Sequence, residues 1–114
     1  MRKIAVAITG ASGSIYAQDL LEKLCRMTDQ IAEISLVMST NAREVWQTEL
    51  DNDSWKEFPV RRFETHDFSA PIASGSGQYD TLIVIPCSMG TLGRIANGIS
   101  GDLITRAADV ILKE

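Results

Sequence analysis

Lys3-Ile-Ala-Val-Ala-Ile-Thr-Gly-Ala-Ser-Gly-Ser-Ile-Tyr-Ala17 is the stretch whose reading decides the fold. Its opening part, Lys3 to Thr9, is apolar nearly throughout, as in a strand buried on both faces. Gly10-Ala-Ser-Gly-Ser14 is a turn. From Ile15 the period becomes helical: Ala17, Leu20, Leu21, Leu24 and Cys25 share one face, while Asp19, Glu22, Lys23 and Arg26 are polar. The helix is expected to end near Met27 to Asp29. A doubly buried strand feeding an amphipathic helix through a glycine turn is the start of an alternating α/β chain.

The alternation continues outward. Ile34-Ser-Leu-Val-Met38 reads as a second strand, and Ser39-Thr-Asn41 offers capping residues to a helix carrying Ala42, Val45, Trp46 and Leu50. Asp51 to Phe58 is polar and compatible with a short helical turn; Pro59-Val-Arg-Arg-Phe63 reads as a short strand. Residues 64–79 form an ordered loop rich in Ser, Gly, Ala and Pro, to which Phe68 and Ile72 give something to bury. Thr81-Leu-Ile-Val-Ile-Pro86 is another apolar strand, Cys87-Ser-Met-Gly-Thr91 a second strand-to-helix junction, and Leu92, Ile95 and Ala96 continue helically before Gly98 and Gly101 interrupt. Asp102 opens a last helix with Leu103, Ile104, Ala107, Ala108 and Ile111 on one stripe and Asp102, Arg106, Asp109 and Lys113 on the other. The pattern predicts one parallel sheet with helices on both faces and right-handed crossovers. Trp46 belongs to its core.

With 114 residues the chain is one domain or a piece of one. An apolar fraction of 45% with interleaved charges is that of a soluble globular protein. The net charge of −4 excludes a broad nucleic-acid footprint, which needs clustered Lys and Arg. No apolar run approaches the ~20 residues of a membrane span. Arg2 and Lys3 before Ile4 imitate the start of a signal peptide, but the apolar stretch is shorter than an h-region of about 7–15 residues and runs straight into a glycine turn. Cys25 and Cys87 fit no C-x-x-C or zinc spacing and read as reduced thiols of a cytoplasmic protein, Cys25 on an apolar helix face and Cys87 beside candidate ligand residues. His66 is given no role, and the sequence offers no metal cluster.

Three junctions fall at strand carboxyl ends, at residues 10–14, 39–41 and 87–91, and all are built of small and hydroxyl residues. Parallel sheets bind ligands there, and free N–H groups at helix N-termini suit an anionic phosphate. Gly10 and Gly13 supply half of a nicotinamide-binding turn, but Tyr16 stands where a third Gly would let helix and strand pack closely. The second strand ends in Met38-Ser39 rather than in the acid that holds a dinucleotide ribose. Both features tilt the reading toward a mononucleotide.

Thr9-Gly-Ala-Ser-Gly-Ser-Ile-Tyr16, Leu36-Val-Met-Ser39, Ala73-Ser-Gly-Ser76, Pro86-Cys-Ser-Met-Gly-Thr-Leu92 and Leu103-Ile-Thr-Arg-Ala-Ala-Asp-Val-Ile-Leu-Lys-Glu114 resemble, in order, consecutive motifs of the UbiX family of flavin prenyltransferases, formerly described as aromatic-acid decarboxylases. The resemblance implies a three-layer flavodoxin-like (Rossmann-type) sheet, bound flavin mononucleotide (FMN), and transfer of a dimethylallyl group to N5 and C6 of reduced flavin. The prenylated flavin would serve a partner decarboxylase of the UbiD type, and the family forms large homo-oligomers (dodecamers). Carried over by motif, Gly10, Ala11, Ser12, Ser39, Ser88, Met89, Gly90 and Thr91 would contact flavin, with Ser12 also catalytic beside the reacting edge. Ser74, Gly75, Arg106 and Lys113 would meet the phosphate of dimethylallyl phosphate; read by spacing alone, Asp102/Arg106 and Asp109/Lys113 are ordinary i,i+4 surface pairs. Phe68 would wall the prenyl site or join the core.

Members of that family continue past the counterpart of Glu114 with a strand ending in Arg-Glu-x-Pro, further helix, and a later Tyr and Arg. Residues 1–114 are therefore read as an incomplete, C-terminally truncated domain, expected not to catalyse prenyl transfer alone. Three other readings stand beside this one: a flavin-dependent cysteine-type decarboxylase, a non-catalytic flavin-binding remnant, and a piece of a nicotinamide oxidoreductase.

Overall fold

The computed structural model describes residues 1–113; Glu114, the last residue of the final motif, lies outside them. Eight main elements follow one another in the expected order: β1 (Arg2–Ile8), α1 (Ser14–Cys25), β2 (Ile31–Met38), α2 (Thr40–Leu50), β3 (Arg61–Phe63), β4 (Thr81–Val84), α3 (Met89–Ala96) and α4 (Leu103–Lys113). The strands form one sheet in the order β3-β2-β1-β4, and every pairing is parallel.

The two-residue period of β1 divides the core. Ile4, Val6 and Ile8 pack with Leu36, Met38, Ala17, Leu21, Ala42 and Trp46 beneath α1 and α2. Ala5 and Ala7 face the other way, onto Val37, Ile72, Leu103, Ile104 and Ala107, so that α4 and the 70–73 segment cover the second face. This is the three-layer flavodoxin-like architecture. Trp46 is fully buried, and its indole N–H donates to Asn52 Oδ1 at 2.9 Å. β4 is only half-buried because it occupies a sheet edge.

The structure refines the sequence reading at particular residues, and β4 stops at Val84 rather than Pro86. β2 starts at Ile31 rather than Ile34, because Glu33 is tied to Arg61 and Lys3 and so interrupts the apolar pattern without ending the strand. α1 ends at Cys25, two residues early, where Arg26 and Met27 turn back onto Lys23 and Leu24. Tyr16 is 68% exposed; α1 meets the sheet through Ala17, and one residue earlier on a 3.6-residue turn points about 100° away. Phe68 is 48% exposed and is not a core residue, whereas Ile72 in the same loop is buried.

Candidate functional site

The chain runs outward from β1 through β2 to β3, then returns to place β4 on the other side of β1. In parallel sheets such a reversal marks the carboxyl-end region where ligands bind, and all three hydroxyl-rich junctions lie there, after β1, β2 and β4. They are bonded together. Thr9 donates its N–H (3.2 Å) and its hydroxyl (2.7 Å) to the Pro86 carbonyl, and Ser88 N donates to Thr9 Oγ1 at 2.7 Å. Ser39 N donates to the Ile8 carbonyl at 3.1 Å. A Cβ on Gly10 would come within 2.7 Å of Asn41 Cβ, so glycine lets the first junction close onto the second.

Each junction opens a helix, but the N-termini are satisfied differently. Ser39 caps α2, its Oγ accepting from Ala42 N at 3.1 Å. Ser88 caps α3, accepting from Thr91 N at 3.2 Å with Thr91 Oγ1 2.9 Å away. A capping hydroxyl spends a lone pair and keeps its own proton, so Ser39 can still donate to an anion; at Ser88 the proton is shared with Thr91 Oγ1, either hydroxyl donating, so one of the two remains free to donate. α1 has Gly13 in the cap position, at φ 119, and no side-chain cap of its own. Its amides turn to a carboxylate from another helix: Glu49 Oε1 accepts from Ser14 N at 2.9 Å and Gly13 N at 3.1 Å, and Oε2 accepts from the Ser12 hydroxyl at 2.7 Å. Ser12 first, then the Ser14 and Gly13 groups, hold the Glu49 carboxyl at about 2, well below its ordinary range. The turn thus already holds one anion, as a helix N-terminus is built to do.

Gly10, Ala11, Ser12, Ser39, Ser88, Met89, Gly90 and Thr91 lie on these three junctions. Met89 and Tyr16 are exposed and give the rim an apolar character. The residues expected to meet phosphate sit elsewhere. Arg106, on the first turns of α4, donates from Nε to the Ala73 carbonyl at 3.3 Å, next to Ser74 and Gly75. The Asp102 carboxylate instead caps α4 through Thr105 N at 2.9 Å and the Thr105 hydroxyl at 2.8 Å, so the Asp102/Arg106 surface pair gives way to these contacts. Lys113 makes its i,i+4 pair with Asp109 at 3.1 Å. It stands seven residues along α4 from Arg106, about 10 Å at 1.5 Å per residue.

Glu49 is the site residue that sequence reasoning missed. It looks like an ordinary polar residue near the end of α2, far in sequence from Ser12. The one available signal was indirect: a glycine cap and no acid in the first turn mark α1 as a helix whose amides need an outside acceptor.

Comparisons with known proteins agree with this geometry. The Flavoprotein family model matches residues 1–114. The flavin prenyltransferase UbiX of Methanocaldococcus jannaschii is 49% identical over 115 residues, covering 98% of this chain and 60% of that protein. The crystal structure of AnUbiX in complex with FMN and dimethylallyl pyrophosphate superposes with a TM-score of 0.91 at 40% identity, over 99% of this chain and 60% of the other. The dodecameric FMN-dependent UbiX-like decarboxylase of Escherichia coli O157:H7 gives a TM-score of 0.91 at 38% identity, over 98% and 61%. The chain therefore spans about three-fifths of the length of these relatives.

Proposed function

We propose, because the chain belongs to the Flavoprotein family, that residues 1–114 form the FMN-binding part of a flavin prenyltransferase that takes dimethylallyl phosphate as prenyl donor. The observation that carries the reading is the convergence of three helix N-termini and the Ser12–Glu49 pair at the ends of β1, β2 and β4. Gly10 allows the first two junctions to close on each other, and Ser39 and one hydroxyl of the Ser88–Thr91 pair keep protons for an anionic or carbonyl ligand, so the residues present fit a flavin mononucleotide. Gly10, Ala11, Ser12, Ser39, Ser88, Met89, Gly90 and Thr91 would hold it. Reduced flavin bound there would supply the nucleophilic ring atoms and an electron-rich face for an allylic cation.

The chain's own contribution is electrostatic and positional. Glu49 is ionised at neutral pH, orients the Ser12 hydroxyl and places negative charge where an allylic cation would develop. Its three donors weaken it as a base, so orientation and charge outweigh proton removal at this carboxylate. Departure of phosphate leaves a dianion, for which Ser74, Gly75, Arg106 and Lys113 are the proposed partners. Arg106 spends only Nε on Ala73, leaving its terminal N–H groups for phosphate oxygens.

Within one chain the run after Ser74 leads away from the flavin cradle. The Gly77 carbonyl accepts from Lys3 Nζ, near the start of β1, roughly 17 Å from Ile8 at 3.3 Å per residue. A homo-oligomer in which a second copy brings this segment to the cradle would complete the site. Exposed Ile15, Tyr16, Met89 and Leu92 support such an interface. Prenylated flavin would pass to a UbiD-type decarboxylase, and two free thiols suit a reducing cytoplasm. Among the described residues, no helix is long and apolar enough to cross a membrane.

Calorimetric titration with FMN and with NAD tests the cofactor. FMN is expected to bind more tightly, and tighter binding of NAD would overturn the proposal.

A further inference from the structure

The segment carrying Ser74 and Gly75 has little structure of its own. It makes two short 3-10 turns, Pro71–Ala73 and Gly75–Gly77, and satisfies its amides locally: Ser76 N on Ser74 Oγ at 3.3 Å, Gly77 N on the Ser74 carbonyl at 3.0 Å, Gln78 N on the Gly75 carbonyl at 3.2 Å. A Ser-Gly-Ser-Gly run has wide conformational freedom and almost nothing to bury. Its near end is held by buried Ala73 and the Arg106 contact to it, and its far end by Tyr79 and by Lys3. Tyr79 is 8% exposed, and its phenol oxygen lies 2.5 Å from Ser35 Oγ, which is fully buried in the middle of β2. Lys3 Nζ lies 5.9 Å from the centre of the Tyr79 ring and donates to the Gly77 carbonyl at 3.2 Å, while Asp80 N donates to the Lys3 carbonyl at 3.2 Å. Glu33 balances Lys3 at 3.9 Å and accepts from Arg61 at 2.6 Å.

Nothing in the transfer chemistry uses these groups, which lie toward the opposite end of β1 from the flavin cradle. A phenol and a hydroxyl that bury each other are not required for packing, since Phe and Ala of similar shape would leave no polar atom to satisfy. What the pair adds is direction: it fixes the end of a flexible run to a central strand. Burial pushes the phenol up to about 12, so it remains a protonated donor at working pH.

We propose that the Ser35–Tyr79 hydrogen bond, backed by the Lys3 contact to Gly77, is a positioning device that holds Ser74 and Gly75 beside Arg106 for recognition of an allylic phosphate. This rests on dimethylallyl phosphate being the prenyl donor. The test is calorimetric binding of dimethylallyl phosphate to the flavin-loaded protein, with FMN affinity and melting temperature measured in parallel. Tyr79→Phe leaves Ser35 buried and unpaired, so both melting temperature and dimethylallyl phosphate affinity are expected to fall, the latter about fivefold, the equivalent of one neutral hydrogen bond. The double variant Ser35→Ala/Tyr79→Phe removes both polar groups; it is expected to regain melting temperature, keep the weakened phosphate affinity, and bind FMN like wild type. A merely structural pair would recover both quantities together, and that result overturns the inference alone. Loaded wild type that fails to bind dimethylallyl phosphate overturns the substrate reading and the inference with it. Should the double variant not fold, Lys3→Met, which removes the Nζ contacts to Gly77, to Glu33 and over the Tyr79 ring, carries the same expectation at about twofold, and unchanged affinity there overturns the proposal.

Discussion

Gly10-Ala-Ser-Gly-Ser14 and Ala73-Ser-Gly-Ser-Gly77 are built from the same five residues, two Gly, two Ser and one Ala, and have opposite fates. The first follows a buried strand and opens a long helix, so its amides are the unsatisfied N-terminal donors of α1, and they collect a carboxylate from α2. The second opens no α-helix. Its amides are spent within its own 3-10 turn, and it is held from outside by Tyr79, Lys3 and Arg106. A run of small residues thus exposes backbone donors to a ligand only where a helix continues from it. Otherwise it is a flexible strap whose use depends on its anchors.

The strongest way to break the first region is to neutralise its anion. In a full-length homologous background, Glu49→Gln is expected to keep the shape of the clamp but lose its charge. Prenyl transfer, followed as prenylated flavin by mass spectrometry, should slow about 10²–10³-fold, the usual cost of a preorganised electrostatic partner. Ser12→Ala should slow transfer in the same direction while weakening flavin retention less. Unchanged turnover in both would reduce the pair to a helix cap. The clamp also carries a pH signature. Glu49 has a depressed folded-state pKa, so its contribution is complete above its ordinary value of 4.5 and disappears as pH falls through about 2. Melting temperature against pH should therefore lose part of its acid limb in that window when Glu49 is replaced by Gln.

The second region breaks sterically. A Cβ on Gly77 would sit 2.0 Å from the Pro71 carbonyl oxygen and 2.7 Å from its carbon, both backbone atoms of a packed turn. Gly77→Ala should cost about 1–3 kcal/mol, as overpacking does, read as a lower melting temperature. Gly10→Ala brings one clash, 2.7 Å from Asn41 Cβ, an atom fixed to the α2 backbone, against two backbone clashes at Gly77, the nearer at 2.0 Å, so it should cost less folding stability while impairing FMN binding by pushing the first junction off the second. Equal losses from both would mean that the two runs are constrained alike.

Much of this arrangement was legible in the sequence. The succession of apolar strands and amphipathic helices, the capping residues at 39–41, the helix openings at 87–91 and Asp102, and the burial of Trp46 are local signals, and the structure carries them. What stayed hidden depends on distant partners. Glu33 breaks the apolar period of β2 because its pairing with Arg61 and Lys3 is invisible locally. Tyr16, in a glycine-motif position, faces outward because Ala17 takes the packing contact. Glu49 and Tyr79 have no motif; each gains its role from a residue more than thirty positions away. The junctions at 10–14, 39–41 and 87–91 were readable because helix N-termini announce themselves, and the resemblance singled out Ser12, Ser39, Ser88 and Thr91 within them, whereas the carboxylate that accepts from Ser12 was not readable.

The smallest expected effect sharpens the comparison at the outer end of the strap. Lys113 and Asp109 form an exposed i,i+4 pair, with side chains 72% and 34% exposed. Such pairs contribute little, so Lys113→Ala should change stability by less than about 0.5 kcal/mol. Its effect on phosphate recognition separates the two readings of this lysine. Arg106 already touches the strap, and Lys113 stands two helical turns beyond it on the same stripe. Both long side chains can converge on one phosphate only if Lys113 leaves Asp109. Because the pair is weak, leaving it is cheap, and Asp109→Ala should then tighten dimethylallyl phosphate binding by no more than about twofold, while Lys113→Ala weakens it without moving the melting temperature. If neither substitution changes that affinity, Lys113 is a solvated surface residue and Arg106 alone carries the charge beside Ser74.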